Sequence, residues 1–206
     1  MKKPILLYSS AEIHARIKRL IGQPSVGDHR VALVAYVGGD GERYLPHPEG
    51  LRLICNPSAG GTDPDTLRQL IKRGANVEIS ESLHMKVYWS RNRGCVITSA
   101  NASSSALGRS GLKEAGIWLP AGTVNINRLI HYAHPRLLRE SDLRRLDAQS
   151  REYKKNFVGK GTKKNSAPDF LQWYTGPHRS AWKVSWTDNE LTGAACTVKE
   201  QTATEY

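Results

Sequence analysis

The chain has 206 residues, 39% of them hydrophobic, enough for one full domain and a smaller appendage. Thirty Lys and Arg against nineteen Asp and Glu give a net charge of +11 and a pI near 9.7, which points to an anionic partner. No apolar run is long enough to span a bilayer, and three scattered cysteines exclude a disulfide framework or a zinc knuckle. The apolar stretch after Lys2 and Lys3 is shorter than a signal-peptide core, so a soluble, cytoplasmic protein is expected, with no membrane partner.

The first 120 residues read as alternating α/β. Ser9 or Ser10 caps a helix over 11–20, where Ile13, Ile17 and Leu20 share a face. Residues 31–37 are continuously apolar, as in a strand covered on both faces, and 51–56 form a second strand. Asp63-Pro64 starts a helix over 65–73 that Gly74 stops, and a short strand follows at 77–79. Residues 82–89 alternate, with Leu83, Met85 and Val87 on one face and His84, Lys86 and Tyr88 on the other. Two short runs then complete the set, 94–101 ending at Asn101 and 114–119 beginning at Glu114. Buried thiols are expected at Cys55 and Cys95, which lie inside strand-like runs.

This order places polar residues at strand ends, where open α/β sheets hold ligands. An imidazole, an ammonium, an amide donor and a carboxylate suit a phosphodiester: nucleophile, cation, hydrogen-bond donor and a group to orient the imidazole. The candidate catalytic residues are therefore His84, Lys86, Asn101 and Glu114, with Ser99 and Ser103 as further donors to phosphate oxygens. Asn101 and Ser103 also suit plain turn chemistry. The pair His131 and His134 lacks a suitably spaced acidic or thiol partner and reads as an exposed pair, not half a metal site.

On these residues the chain resembles the phospholipase D superfamily, whose signature is His-x-Lys, four residues, Asp, then Gly-Ser-x-Asn and a later Glu or Ser. The matching pieces are His84-Met85-Lys86, Thr98-Ser99-Ala100-Asn101 and Glu114, within roughly residues 1–120. Arg91 stands where the family often has Asp, and Thr98 replaces Gly. That Asp is absent in several nuclease members and is not the catalytic group there. The resemblance implies a phospholipase D-like mixed sheet flanked by helices. A single motif is similar to the small dimeric nucleases and the metal-independent restriction enzymes of the family, so a homodimer is implied, one His84 attacking phosphorus and the other protonating the leaving oxygen. Lys86 and Asn101 would hold the non-bridging oxygens, and Glu114 would orient the histidine. No metal or other cofactor is needed for that scheme.

Past residue 120 the texture changes. Helices are expected over 125–132 and 142–157, then a basic glycine-containing linker to 165 and a small Trp-rich arm over 166–206, holding Trp173, Trp182 and Trp186. Residues 121–165 are read as a basic helical region, and residues 128–164 carry seven more Lys and Arg than acids. Arg144, Arg145, Lys154, Lys155, Lys163 and Lys164 are its candidate nucleic-acid contacts, since phosphate neutralisation supplies most non-specific affinity. The expected activity is a nuclease acting on DNA. Its rivals are a phospholipid phosphodiesterase or phosphatidyl transferase, and a catalytically silent DNA-binding module.

Overall fold

The computed structural model describes residues 3–109 and 111–158, without the side chains of 156–158. The linker, the Trp-rich arm, Lys163, Lys164 and Cys196 lie outside the described residues.

Eight strands form one mixed sheet: β1 (Ile5–Leu7), β2 (Arg30–Val34), β3 (Arg52–Cys55), β4 (Asn76–Ile79), β5 (Lys86–Ser90), β6 (Gly94–Thr98), β7 (Gly116–Leu119) and β8 (Arg136–Leu137), in the order β1-β7-β6-β5-β2-β3-β4-β8. Only β2, β3 and β4 run parallel; the other neighbours are antiparallel. Among the described residues five α-helices accompany it, α1 (Ser10–Leu20), α2 (Pro64–Lys72), α3 (Ser104–Leu107), α4 (Ile126–Ala133) and α5 (Glu140–Val158), with one 3-10 turn at Gly41–Arg43. The α/β class expected from the sequence is the class observed.

The alternation of β2 sorts the core into two layers. Ala32 and Val34 face a cluster with Ile13, Ile17 and Leu20 of α1, Leu67 and Leu70 of α2, and Leu143 and Leu146 of α5. Val31 and Leu33 face the other way, against Ile126, Ile130 and Ala133 of α4. Capping fixes where the helices start. The Ser9 hydroxyl accepts from the Glu12 N–H at 3.3 Å while a Glu12 carboxylate oxygen accepts from the Tyr8 N–H at 3.2 Å, and Asp63 accepts from the Thr66 N–H at 2.9 Å beside Pro64.

The sheet and core continue past residue 120, because β8 pairs with β4 and α5 lays Leu143 and Leu146 into the main cluster. The polar shift after residue 120 therefore marks solvent-facing helices, and the packed unit runs to Val158. The expected strand over 82–89 begins only at Lys86. Its first residues are held in a turn instead: Leu83 N–H donates to Ser80 O at 3.1 Å, and the Asn56 amide donates to Glu81 O at 2.7 Å. Tyr88, placed on the polar face with His84 and Lys86, is fully buried under α1, its hydroxyl donating to Ala100 O at 3.3 Å. Burial pushes its phenol up, with the Glu114 charge adding to the effect.

Candidate active site

Strand direction gathers the site. β2 and β6 end at the sheet edge where β5 and β7 begin, since Val34 faces Lys86 and Thr98 faces Gly116. His84 and Lys86 enter from one strand, Thr98 to Asn101 leave on another, and Glu114 precedes a third. The chain after β6 crosses the start of β5 and bridges in parallel from Ala102 to Val37. That crossing seats Asn101, whose Oδ1 accepts from the Tyr36 N–H at 3.1 Å. Because a backbone N–H donates there, the oxygen end of the amide is fixed inward and its two N–H donors remain for other partners.

His84 is exposed at the rim. Lys86 Nζ lies 3.2 Å from its Nε2 and 3.4 Å from its Nδ1, and donates to the His84 carbonyl at 3.0 Å. Those contacts put an ammonium beside both imidazole nitrogens, and the role of each nitrogen follows the tautomer. Burial lowers the Lys86 ammonium below its usual range, and the nearby Glu114 charge opposes that shift. Glu114 accepts a short hydrogen bond from Ser99 Oγ, which also accepts from the Ala115 N–H at 3.2 Å. Glu114 was expected to orient the histidine; the bond it forms within the described chain is to Ser99. Ser103 is the N-cap residue of α3 without a side-chain capping bond, and its N–H donates to Asn101 O at 3.0 Å.

Three residues beside the site were not singled out in the sequence. The Tyr36 ring meets His84 edge-to-face, 6.3 Å between centroids at 76°. Gly61 backs that ring so closely that a Cβ there would fall 2.5 Å from Tyr36 Cδ1. Asn56 pins the turn before His84 through Glu81 O and, at 3.4 Å, Leu83 O. Tyr36 was hidden inside an apolar run, but Asn56, an Asn ending a strand as Asn101 does, carried a usable signal.

The basic residues divide. Arg145 donates to Glu81 at 3.2 Å and lies 3.5 Å from Asp142, within a network that includes Arg136. Arg144, Lys154 and Lys155 are exposed and form no ion pair within the described chain. His131 and His134 stand 5.6 Å apart between ring centroids, and among the described residues no group of three or more His, Cys, Asp or Glu is placed to hold a metal. Cys55 and Cys95 are buried, which pushes both thiols up to about 12. No helix among the described residues is long and apolar enough to cross a membrane. A cavity of about 1300 Å³ is at the opposite ends of these strands, between α1 and the end of β7.

No family model and no curated protein matches the chain. Among solved structures it is similar to Nuc from Salmonella typhimurium, a phospholipase D family member, at 12% identity and a TM-score of 0.47, covering 67% of this chain and 100% of that one. It is similar to NucT from Helicobacter pylori at 14% identity and a TM-score of 0.43, covering 64% of this chain and 92% of that one. A third similarity, to phosphatidylserine synthase from Haemophilus influenzae, has 13% identity and a TM-score of 0.44, covering 76% of this chain and 46% of that one.

Proposed function

We propose that the protein is a metal-independent phosphodiesterase of the phospholipase D type, a nuclease that cuts DNA as a homodimer through a covalent phosphohistidine. The observation that carries this reading is the meeting of His84 and Lys86, 3.2 Å apart, at the sheet edge that also receives Asn101, Ser99 and Glu114.

The unprotonated imidazole nitrogen of His84 attacks phosphorus, and a P–N bond forms as the P–O bond to the leaving group breaks. The leaving oxygen takes a proton from the imidazolium of His84 of the partner subunit. That imidazole then removes a proton from water, the water oxygen attacks phosphorus, and the P–N bond breaks to restore both histidines. Lys86 turns from the imidazole to a non-bridging oxygen, joined by the free N–H donors of Asn101. Ser99, fixed by Glu114 and Ala115, completes the wall of that pocket. The net charge of +11 and the exposed Arg144, Lys154 and Lys155 suit a polyanion.

Plasmid DNA incubated with the protein in excess EDTA is expected to be cut, and His84→Ala is expected to lower the rate at least about a thousandfold. Cutting that requires added divalent metal overturns the scheme. Turnover of a phosphatidyl ester without DNA cleavage selects the lipid reading, and DNA binding without cleavage selects the silent module. A monomer by sedimentation at the assay concentration removes the two-histidine step.

A further inference from the structure

The cavity at the opposite strand ends is floored by Ile5, Leu20 and Trp118 and rimmed by Lys3, Arg16 and Arg19. Not one of the residues lining it is acidic. Arg93 also reaches its wall, but that guanidinium is already committed: it donates to Arg19 O at 3.3 Å and Gln23 O at 2.7 Å and lies 3.6 Å from Asp28. Lys3, Arg16 and Arg19 form no ion pair within the described chain. The Arg16 guanidinium carbon lies over the Trp118 indole, 4.8 Å from the ring centroid, a cation–π contact. The indole is anchored in turn, its N–H donating to Arg93 O at 3.1 Å. One guanidinium is thus held in place with its donors unclaimed by any carboxylate, flanked by two further cations.

We propose that this cleft is a second nucleic-acid contact, gripping the phosphate backbone of a strand whose scissile bond lies at His84. The inference rests on the nucleic-acid reading above and extends it to a cleft whose lining includes none of Arg144, Arg145, Lys154 or Lys155. Charge complementarity selects the occupant: three unpaired cations without a carboxylate suit consecutive phosphates, and a guanidinium stacked on an indole is preorganised for one. The two sites stand at opposite ends of the strands. The five residues of β5 alone span about 17 Å at roughly 3.4 Å each. A duplex must therefore be at least about five base pairs long to touch both, at about 3.4 Å per pair. Short substrates touch only one.

The test uses the full chain with His84→Ala, so that bound DNA is not cut, and adds Lys3→Ala/Arg16→Gln/Arg19→Ala. Binding of a fluorescein-labelled duplex of about 20 base pairs is followed by anisotropy between 50 and 200 mM salt. The expected result is a loss of affinity of about tenfold or more at 100 mM salt and a shallower salt dependence, by about two to three phosphate contacts. With His84 intact, the triple variant is expected to hydrolyse bis(4-nitrophenyl) phosphate at the parental rate. Lys3→Ala/Arg19→Ala, which leaves Trp118 covered, is expected to show about two-thirds of the change in salt slope. Unchanged affinity and slope in the triple variant, with parental DNA binding intact, overturns the cleft and leaves the nuclease reading standing. A parental protein that hydrolyses the small diester but binds no duplex overturns both the cleft and the nucleic-acid substrate. Should the triple variant lose small-diester hydrolysis along with DNA binding, Lys3→Ala/Arg19→Ala decides, and unchanged affinity and slope there overturn the cleft.

Discussion

The two ends of the β2–β5 strand pair each carry a cation, and the two are treated in opposite ways. Arg30 faces Ser90 at one end, and Lys86 faces Val34 at the other. Arg30 is 2% exposed, and its guanidinium donates to the carbonyls of Ile21 at 3.0 Å, Gly22 at 2.7 Å, His47 at 2.9 Å and, by a shorter bond, Glu49. Two of those carbonyls follow the last turn of α1, where a positive charge is favoured. Burial lowers Arg30 from its usual range and the Asp28 and Glu49 charges oppose that shift, but an arginine remains charged throughout. Lys86 has a single carbonyl and an imidazole, at an edge open to solvent. A cation whose two terminal nitrogens are engaged by backbone carbonyls, with only its buried Nε left over, fastens a helix end and a loop to the sheet. A cation left with spare donors beside a nucleophile is available to an incoming anion.

That contrast breaks most visibly at Arg30. Arg30→Ala strands the buried carbonyls of Ile21 and Gly22 and the part-buried ones of His47 and Glu49, and is expected to destabilise the fold by about 3 kcal/mol or more, at about 1–3 kcal/mol for each buried acceptor left without a donor; urea melts give the value directly. Lys86→Ala is the mirror experiment. It is expected to lower kcat by about a hundredfold or more, the effect of removing one preorganised donor, while the urea midpoint stays within about 0.5 kcal/mol of the parent. Equal losses of stability in the two variants would erase the distinction.

Gly61→Ala sharpens the open end. The new Cβ would meet the Tyr36 ring at 2.5–2.9 Å, so the ring must move, and His84 packs against it. Kinetics are expected to show kcat reduced by about tenfold with KM nearly unchanged, and a stability cost of about 1–3 kcal/mol from overpacking. Tyr36→Phe, which keeps the ring, is expected to retain parental kcat. The smallest effect concerns pH. The Arg136 guanidinium, bonding Asp142 at 2.7 and 2.8 Å, holds that carboxyl down at about 2, with the Arg139 N–H assisting. A carboxyl depressed on folding contributes stability above its unfolded pKa near 4, and that contribution fades as pH falls toward 2. Thermal melts between pH 5 and 2 are expected to drop less steeply for Asp142→Asn than for the parent.

How much of this was legible in advance differs by residue. The helix over 11–20 and its Ser9 cap, the buried run through β2, and the Asp63-Pro64 start of α2 follow from periodicity and capping, both local and both written in neighbouring side chains. The types and order of His84, Lys86, Asn101 and Glu114 were visible too, because phosphodiester chemistry asks for a short list of groups. Their partners were not. That Asn101 turns its oxygen to the Tyr36 N–H, that Glu114 bonds Ser99, and that Arg30 clamps four carbonyls depend on contacts between residues 15 to 65 positions apart in the first two cases and 8 to 19 in the third. Alternation likewise gave Tyr88 the same face as His84 but not the helix that covers it. Sequence alone determined which segments carry apolar stripes and which polar groups stand at their ends, since both depend on backbone periods. Only the tertiary structure decided which of those groups are engaged and which stay open, because that depends on the backbone carbonyls and rings that other strands bring within reach.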